Sequence, residues 1–165
     1  MQVWQPAYVG LGSNLQDPLR QISMALRHLA ALPRTRLVSR SPLYASAPLG
    51  PADQPDFVNA AAGLLTGLAA PDLLEALLEI EQSMGRVRLR HWGPRVIDLD
   101  LLAHGNLVYD TPRLRLPHPG IPSRNFVLYP LADLAPTLDL PGHGRVGTLA
   151  AAVGNEGLRR IGHAD

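Results

Sequence analysis

The chain of 165 residues contains no cysteine, so it has no disulfide framework, no redox pair and no thiolate metal site, a pattern that fits a cytosolic protein. Lysine is missing as well. All 15 basic residues are arginine, so a P-loop lysine is impossible and every cationic site is a planar guanidinium fork suited to phosphate oxygens. Aromatic residues make up only 5% and the net charge is +1, which speaks against a surface built to coat nucleic acid or an anionic membrane. No apolar run is long enough to span a bilayer, and the N-terminus has no basic start ahead of an apolar segment. A soluble, cytoplasmic chain without membrane or nucleic-acid partners is therefore expected. What is present is an apolar share of 46% in a length that suits one compact domain over residues 1–165.

Residues 7–12 read as a first strand, which Gly12-Ser13-Asn14 turns towards a helix; Gly10 and Gly12 are taken to serve a tight turn and close packing. Asp17 suits the N-cap of that helix and Pro18 its first position, with Leu19, Ile22, Leu26 and Leu29 at helical spacing. Residues 36–44 form a second strand, weakened at Pro42, where a bulge or an edge is expected. The segment 47–55 carries Pro48, Pro51, Pro55 and Gly50 and suits a substrate-covering loop. Residues 57–66 read as a third strand despite their alanines. The second helix starts near Pro71, places Leu73, Leu77, Ile80 and Met84 on its core stripe and stops at Gly85. A polar second loop, 86–95, feeds a strand that carries Asp98 and Asp100.

Beyond it, Gly105-Asn106 is a hairpin turn into 107–109, residues 116–122 are irregular, and 126–134 form a short helix broken near Pro130. The tail from residue 142 is glycine-rich with one alanine run, 149–153. Strand, helix, strand, strand, helix, strand is the order of an α+β fold, the ferredoxin-like sandwich: an antiparallel sheet with helices on one face and an open active-site face.

The segment Val96-Ile97-Asp98-Leu99-Asp100-Leu101-Leu102 alternates. It puts Asp98 and Asp100 on one face with Val96 and Leu102, and Ile97, Leu99 and Leu101 on the other. Such alternation also describes a strand with one wet face. Two carboxylates roughly 6.5–7 Å apart along a strand are, however, uncomfortable together unless a hard divalent cation shares them. Arg86, Arg88, Arg90 and Arg95 lie just upstream, and Arg113, Arg115, His118 and Arg124 just downstream. Two Asp residues able to hold Mg²⁺, with guanidinium forks around them, outline a polyphosphate site. Gly10-Leu11-Gly12-Ser13-Asn14 lacks the third glycine of a dinucleotide fingerprint, and no Gly-x-Ser-x-Gly elbow occurs.

The motifs Gly10-Leu-Gly-Ser-Asn14, Pro48-Leu-Gly-Pro51 with Asp53-Gln-Pro-Asp-Phe57-Val-Asn59, Gly85-Arg-Val-Arg88, Trp92-Gly-Pro-Arg-Val-Ile-Asp-Leu-Asp100 and Leu116-Pro-His-Pro119 resemble the 6-hydroxymethyl-7,8-dihydropterin pyrophosphokinase family. The resemblance covers about residues 7–136 and leaves the tail, 142–165, uncovered. It implies transfer of pyrophosphate from ATP to the pterin hydroxymethyl group, with release of AMP, two Mg²⁺ ions and a ferredoxin-like core. It implies Asp98 and Asp100 as ligands of both metals, and Arg86 and Arg95 as catalytic arginines on the phosphates. Arg113, His118 and Arg124 match the nucleotide side, joined by Arg88, Glu81, Leu74 and Trp92. For the pterin it implies Phe57 and Phe126 as the stack and Asn59 as reader of the polar edge, with Ser46, Pro48, Leu49 and Trp92 in contact. Phe57 stands where the family can carry Tyr, and Ser46-Ala47 where it can carry Thr-Pro. A monomer acting on ATP and 6-hydroxymethyl-7,8-dihydropterin is the expected form.

Two other readings use the same residues. The sheet topology also hosts single-strand RNA recognition, but the scarcity of aromatics, the absence of a basic excess and the Asp pair on the open face oppose it. A catalytically silent nucleotide-binding relative would keep the fold, yet the Asp pair and arginine set are intact.

Overall fold

The computed structural model describes residues 3–15, 17–47, 55–85 and 96–164. Strand β1 (Gln5–Ser13) leads to helix α1 (Pro18–Ala30), strands β2 (Thr35–Arg40), β3 (Leu43–Ser46) and β4 (Phe57–Thr66), helix α2 (Ala70–Ser83) and strand β5 (Asp98–His104). Local chemistry accounts for these boundaries. Asp17 takes a left-handed conformation and its carboxylate accepts from the Arg20 N–H at 3.4 Å, with Pro18 opening α1 as expected. α2 carries Pro71 in its first turn and ends before Gly85, whose φ of +93° only glycine adopts without strain. Pro42 cannot donate to a ladder, and it splits the expected second strand into β2 and β3, while Ser41 bridges the break through both its N–H and its hydroxyl to Ala61.

All pairings in the main sheet are antiparallel, in the order β5, β1, β4, β3, with β2 on the same flank of β4 as β3. This is the expected ferredoxin-like order. One face packs on α1 and α2, with Ala7, Val9, Leu11, Ala60, Ala62, Leu64, Leu99 and Leu101 from the strands meeting Ile22, Leu26, Leu29, Leu73, Leu77 and Ile80 from the helices. Burying these side chains is what holds helices and sheet together, at roughly 25 cal/mol for each Å² removed from water.

The second face is open at one end only. Helix α3 (Asn125–Leu134) and helix α4 (Val146–Val153) cover the other end, where Leu128, Leu131, Val146 and Ala150 pack with Leu102 and Ala103 in a second core. A bulge makes this possible: Tyr8 opposes Ala103 and Val9 opposes Leu101, so Leu102 is the extra residue and joins Ala103 in that core.

Four further sequence expectations change. The glycines of β1 lie inside the strand, which runs to Ser13, and not in a turn. Gly105 does turn the chain, with Leu107 N–H donating to the His104 carbonyl, but the next strand, β6 (Tyr109–Asp110), pairs with β7 (Arg115–Leu116) and not with β5. The outer edge of β5 is already taken: Leu99 N–H donates to Glu81 Oε2 at 2.9 Å, and His118 N–H donates to the Leu102 carbonyl at 3.0 Å. Helix α3 also continues through Pro130 without a break, held by burial of Leu128, Pro130 and Leu131. The tail adds more than an alanine-rich helix: after the small hairpin β8 (Asp139–Leu140) and β9 (Gly144–Arg145), and then α4, strand β10 (Leu158–Gly162) extends the sheet beyond β3. Its residues are mostly exposed, so no alternating apolar pattern announced it.

Leu77 is fully buried beneath the sheet whereas Val38 is 60% exposed. Leu77→Ala is expected to lower unfolding free energy by about 2–5 kcal/mol and Val38→Ala by less than about 0.5 kcal/mol, as read from urea denaturation midpoints.

Candidate active site

The open end of the second face is built on one register. Gly12 on β1 stands opposite Asp98 on β5, and Gly10 opposite Asp100. Both glycines point to the face that carries the carboxylates, so nothing projects from β1 beside them. Alternation along β5 is as expected: Ile97, Leu99 and Leu101 go into the helix-side core, while Asp100 is exposed and Asp98 half-buried. Ser13 ties the start of this strand down, its hydroxyl donating to the Val96 carbonyl at 2.6 Å.

On the other side of the glycines, Asn59 of β4 faces Gly12 in register and is buried. Its Nδ2 donates to Ser46 Oγ at 2.8 Å, which fixes the amide and leaves Oδ1 beside Gly12. Ser46 in turn pairs with Phe57 across β3 and β4. Phe126 and Val127, at the start of α3, close the opposite side. The result is a cleft of about 260 Å³ lined by Gly10, Gly12, Ser46, Phe57, Asn59, Asp98, Asp100, Arg124 and Phe126. Two aromatic residues and a fixed amide lining one cleft suit a flat heterocycle that has a polar edge.

A second recess, of about 400 Å³, lies along the outer edge of β5. It is lined by Leu74, Leu78 and Glu81 of α2, by Leu99 and Asp100, and by Arg113, Arg115, His118 and Pro119 from the segment after β6. Asp100 belongs to both recesses. His118 stands near that junction. Burial pulls its imidazole below the usual range, the Asp100 carboxylate opposes the fall, and the Arg124 guanidinium adds to it. Its Nδ1 accepts from the Gly120 N–H at 3.0 Å, as a neutral ring can. Arg113 pairs with Glu75, both side chains being largely exposed.

The expected site residues thus fall into two groups. Ser46, Phe57, Asn59 and Phe126 converge on the first cleft with Asp98 and Asp100; Leu74, Glu81, Arg113 and His118 converge on the second recess. Arg124, matched to the nucleotide side by resemblance, lines the first cleft. Glu81 is buried and its carboxylate also secures the backbone between the two aspartates, a role the resemblance did not suggest. Pro48, Leu49, Arg86, Arg88, Trp92 and Arg95 lie outside the described residues. Gly10 and Gly12 were missed as site residues. Their signal was there, because glycine inside a strand marks a close backbone approach. Among the described residues no group of three or more His, Asp or Glu side chains gathers as a complete metal cage. Two carboxylates beside an open floor are a hard-oxygen donor set of the kind Mg²⁺ takes when phosphates and water complete its shell.

Fold and site together define a ferredoxin-like α+β domain with two ligand-sized recesses that meet at one carboxylate. Residues 8–136 match the family model for 7,8-dihydro-6-hydroxymethylpterin-pyrophosphokinase, and the chain belongs to that family. It is 55% identical over 157 residues to a 2-amino-4-hydroxy-6-hydroxymethyldihydropteridine pyrophosphokinase of Pseudomonas aeruginosa, covering 95% of this chain and 97% of that one. A Haemophilus influenzae protein of the same name is 48% identical over 82% of this chain and 84% of its own. Among solved structures, a Plasmodium falciparum HPPK-DHPS with pterin and p-hydrobenzoate superimposes with a TM-score of 0.75 at 14% identity, which speaks to the fold. The match covers 98% of this chain, and the chain spans about half of that longer one, 48%. The protein is an ATP-dependent pyrophosphokinase that transfers pyrophosphate to hydroxymethyldihydropterin in folate biosynthesis.

A Cβ at Gly12 would stand 3.3 Å from Asn59 Oδ1, so the amide would have to yield by a few tenths of an ångström. Gly12→Ala is expected to raise KM for the pterin about tenfold while changing unfolding free energy by less than about 1 kcal/mol, measured by steady-state kinetics and urea titration.

Proposed function

We propose that the two recesses divide the substrates between them, with residues 1–165 acting as one pyrophosphokinase domain. The first cleft takes the pterin: Phe57 and Phe126 stack on the ring, Asn59 reads its polar edge, and Ser46 holds Asn59. Pro48, Leu49 and Trp92 complete the contacts by family resemblance. The second recess takes ATP, with Leu74, Glu81, Arg88, Trp92, Arg113 and His118 along the nucleotide and Arg124 at the boundary. The observation that carries this reading is Asp100, which lines both recesses with Asp98 beside it over the glycine floor.

At that boundary Asp98 and Asp100 would hold Mg²⁺, two ions by family resemblance. When bound, Mg²⁺ supplies positive charge that neutralises the triphosphate and eases loss of the hydroxyl proton. The chain's own part is positional. The stack and the amide aim the hydroxymethyl oxygen at the β-phosphorus. A new O–P bond forms there as the bond from the β-phosphorus to the bridging oxygen breaks, and AMP leaves with that oxygen. Arg86 and Arg95 take up the charge that moves onto the phosphates, as guanidinium forks do in phosphoryl transfer. A cytoplasmic monomer is the form this reading assigns to the chain.

Asp98→Asn and Asp100→Asn each test it. Their side chains lie off the hydrophobic core, so the melting temperature should move by no more than a few degrees while Mg²⁺-dependent AMP release falls by at least about 10³-fold. Turnover within tenfold of the parent enzyme in either variant would contradict the assignment.

A further inference from the structure

Helix α3 carries Phe126 and is preceded by Arg124, so its placement sets the roof of the first cleft. The N-terminal turn of α3 is held from outside the matched family region. Asn125, beside Phe126 in sequence, donates through Nδ2 to the carbonyls of Gly154 at 3.1 Å and Glu156 at 2.9 Å, in the segment that joins α4 to β10. Two turns on, Asp133 occupies the same side of the helix as Phe126, seven residues being close to two turns. One oxygen of Asp133 accepts from the Tyr44 hydroxyl, and the other accepts from Arg160 Nη2 of β10 at 3.1 Å. Arg160 Nη2 also donates to the Tyr44 hydroxyl at 3.1 Å, and its guanidinium lies 5.6 Å from the centre of the Tyr44 ring.

The sheet beneath matches this spacing. Tyr44 and Ser46 lie two apart on one face of β3, Ser46 under the cleft and Tyr44 under Asp133. The end of the chain therefore grips α3 at two points, and β10 is itself anchored by pairing with β3 at Leu158–Ser46, Arg159–Ala45 and Arg160–Tyr44.

We propose that residues 154–160 form a two-point strap on α3, with Asn125 and Arg160 as positioning residues that hold Phe126 over the pterin. The inference rests on the reading of the first cleft as the pterin site. Neither residue lines that cleft. Each acts through the helix. Burial, reinforced by the Asp133 carboxylate and opposed by Arg160, pushes the Tyr44 phenol above its usual range, so Tyr44 stays a donor across the working pH.

The test is steady-state kinetics of the full chain with Asn125→Ala, Arg160→Ala, Arg160→Lys and Phe126→Ala, varying pterin and ATP separately. The strap predicts that Asn125→Ala and Arg160→Ala each raise KM for the pterin by about tenfold, leave KM for ATP within twofold, and that Arg160→Lys recovers most of the loss. Phe126→Ala should raise the pterin KM at least as much. A fall in kcat with both KM values unchanged, the mark of a smaller folded fraction, overturns the strap, as do parental kinetics or equal rises in both KM values. If Phe126→Ala leaves the pterin KM unchanged, the reading of the cleft fails and the strap with it. An effect of Phe126→Ala alone refutes only the strap. Asn125→Ala keeps the test decisive should Arg160→Ala fold poorly.

Discussion

The pairing of β1 with β5 places Gly10 and Gly12 beside Asp100 and Asp98, and the candidate site is assembled around that register. A side chain on either glycine would intrude on the first cleft, at Gly12 against Asn59 Oδ1 and at Gly10 against Leu102. A slip of one residue would send the aspartates into the helix-side core and bring Leu99 and Leu101 out to the open face, so burial of those leucines enforces the arrangement. The bulge at Leu102 then lets the same strand change partners along its length. Its first half presents carboxylates to open space, and its second half presents Leu102 and Ala103 to α3 and α4. The proposed catalytic end and a stabilising end thus share one seven-residue strand.

Edge position matters as much as register. β5 closes the sheet on one side, so its outer backbone groups are open to other partners. α2 satisfies one of them through Glu81 and the 116–119 segment another through His118, and the second recess forms between those two supports. Had β6 continued the sheet beyond β5, that recess would have been filled. Secondary structure and the proposed division of substrates are in this sense one decision.

Much of this was legible in the sequence because it rests on short-range rules. Asp17 and Pro18 announced the start of α1, Pro42 marked an irregularity where the chain in fact divides into β2 and β3, and the third strand was placed at 57–66, where β4 is found. The two-residue alternation around Asp98 and Asp100 reported a face correctly. What the sequence hid depends on partners far away in the chain. Nothing near Gly105 says that the edge of β5 is already occupied. Nothing in Leu158-Arg159-Arg160 has an apolar period, because β10 is held by backbone pairing and by Asp133. The hydrogen bond from Asn59 to Ser46 spans 13 residues and a strand reversal, so spacing does not reveal which way the amide points. Arg124 was matched to the nucleotide by family pattern, while its place immediately before α3 puts it on the cleft that holds Phe126.

Under the proposed function both substrates meet at Asp98 and Asp100, beside the β1 glycines. A crystal structure with Mg²⁺, 6-hydroxymethylpterin and an ATP analogue with a methylene α,β bridge tests it most directly. Metal density is expected against both carboxylates, with the pterin between Phe57 and Phe126 and the nucleotide along Leu74, Glu81 and His118. Metal bound away from the aspartates, or a pterin outside the Phe57–Phe126 cleft, would contradict it.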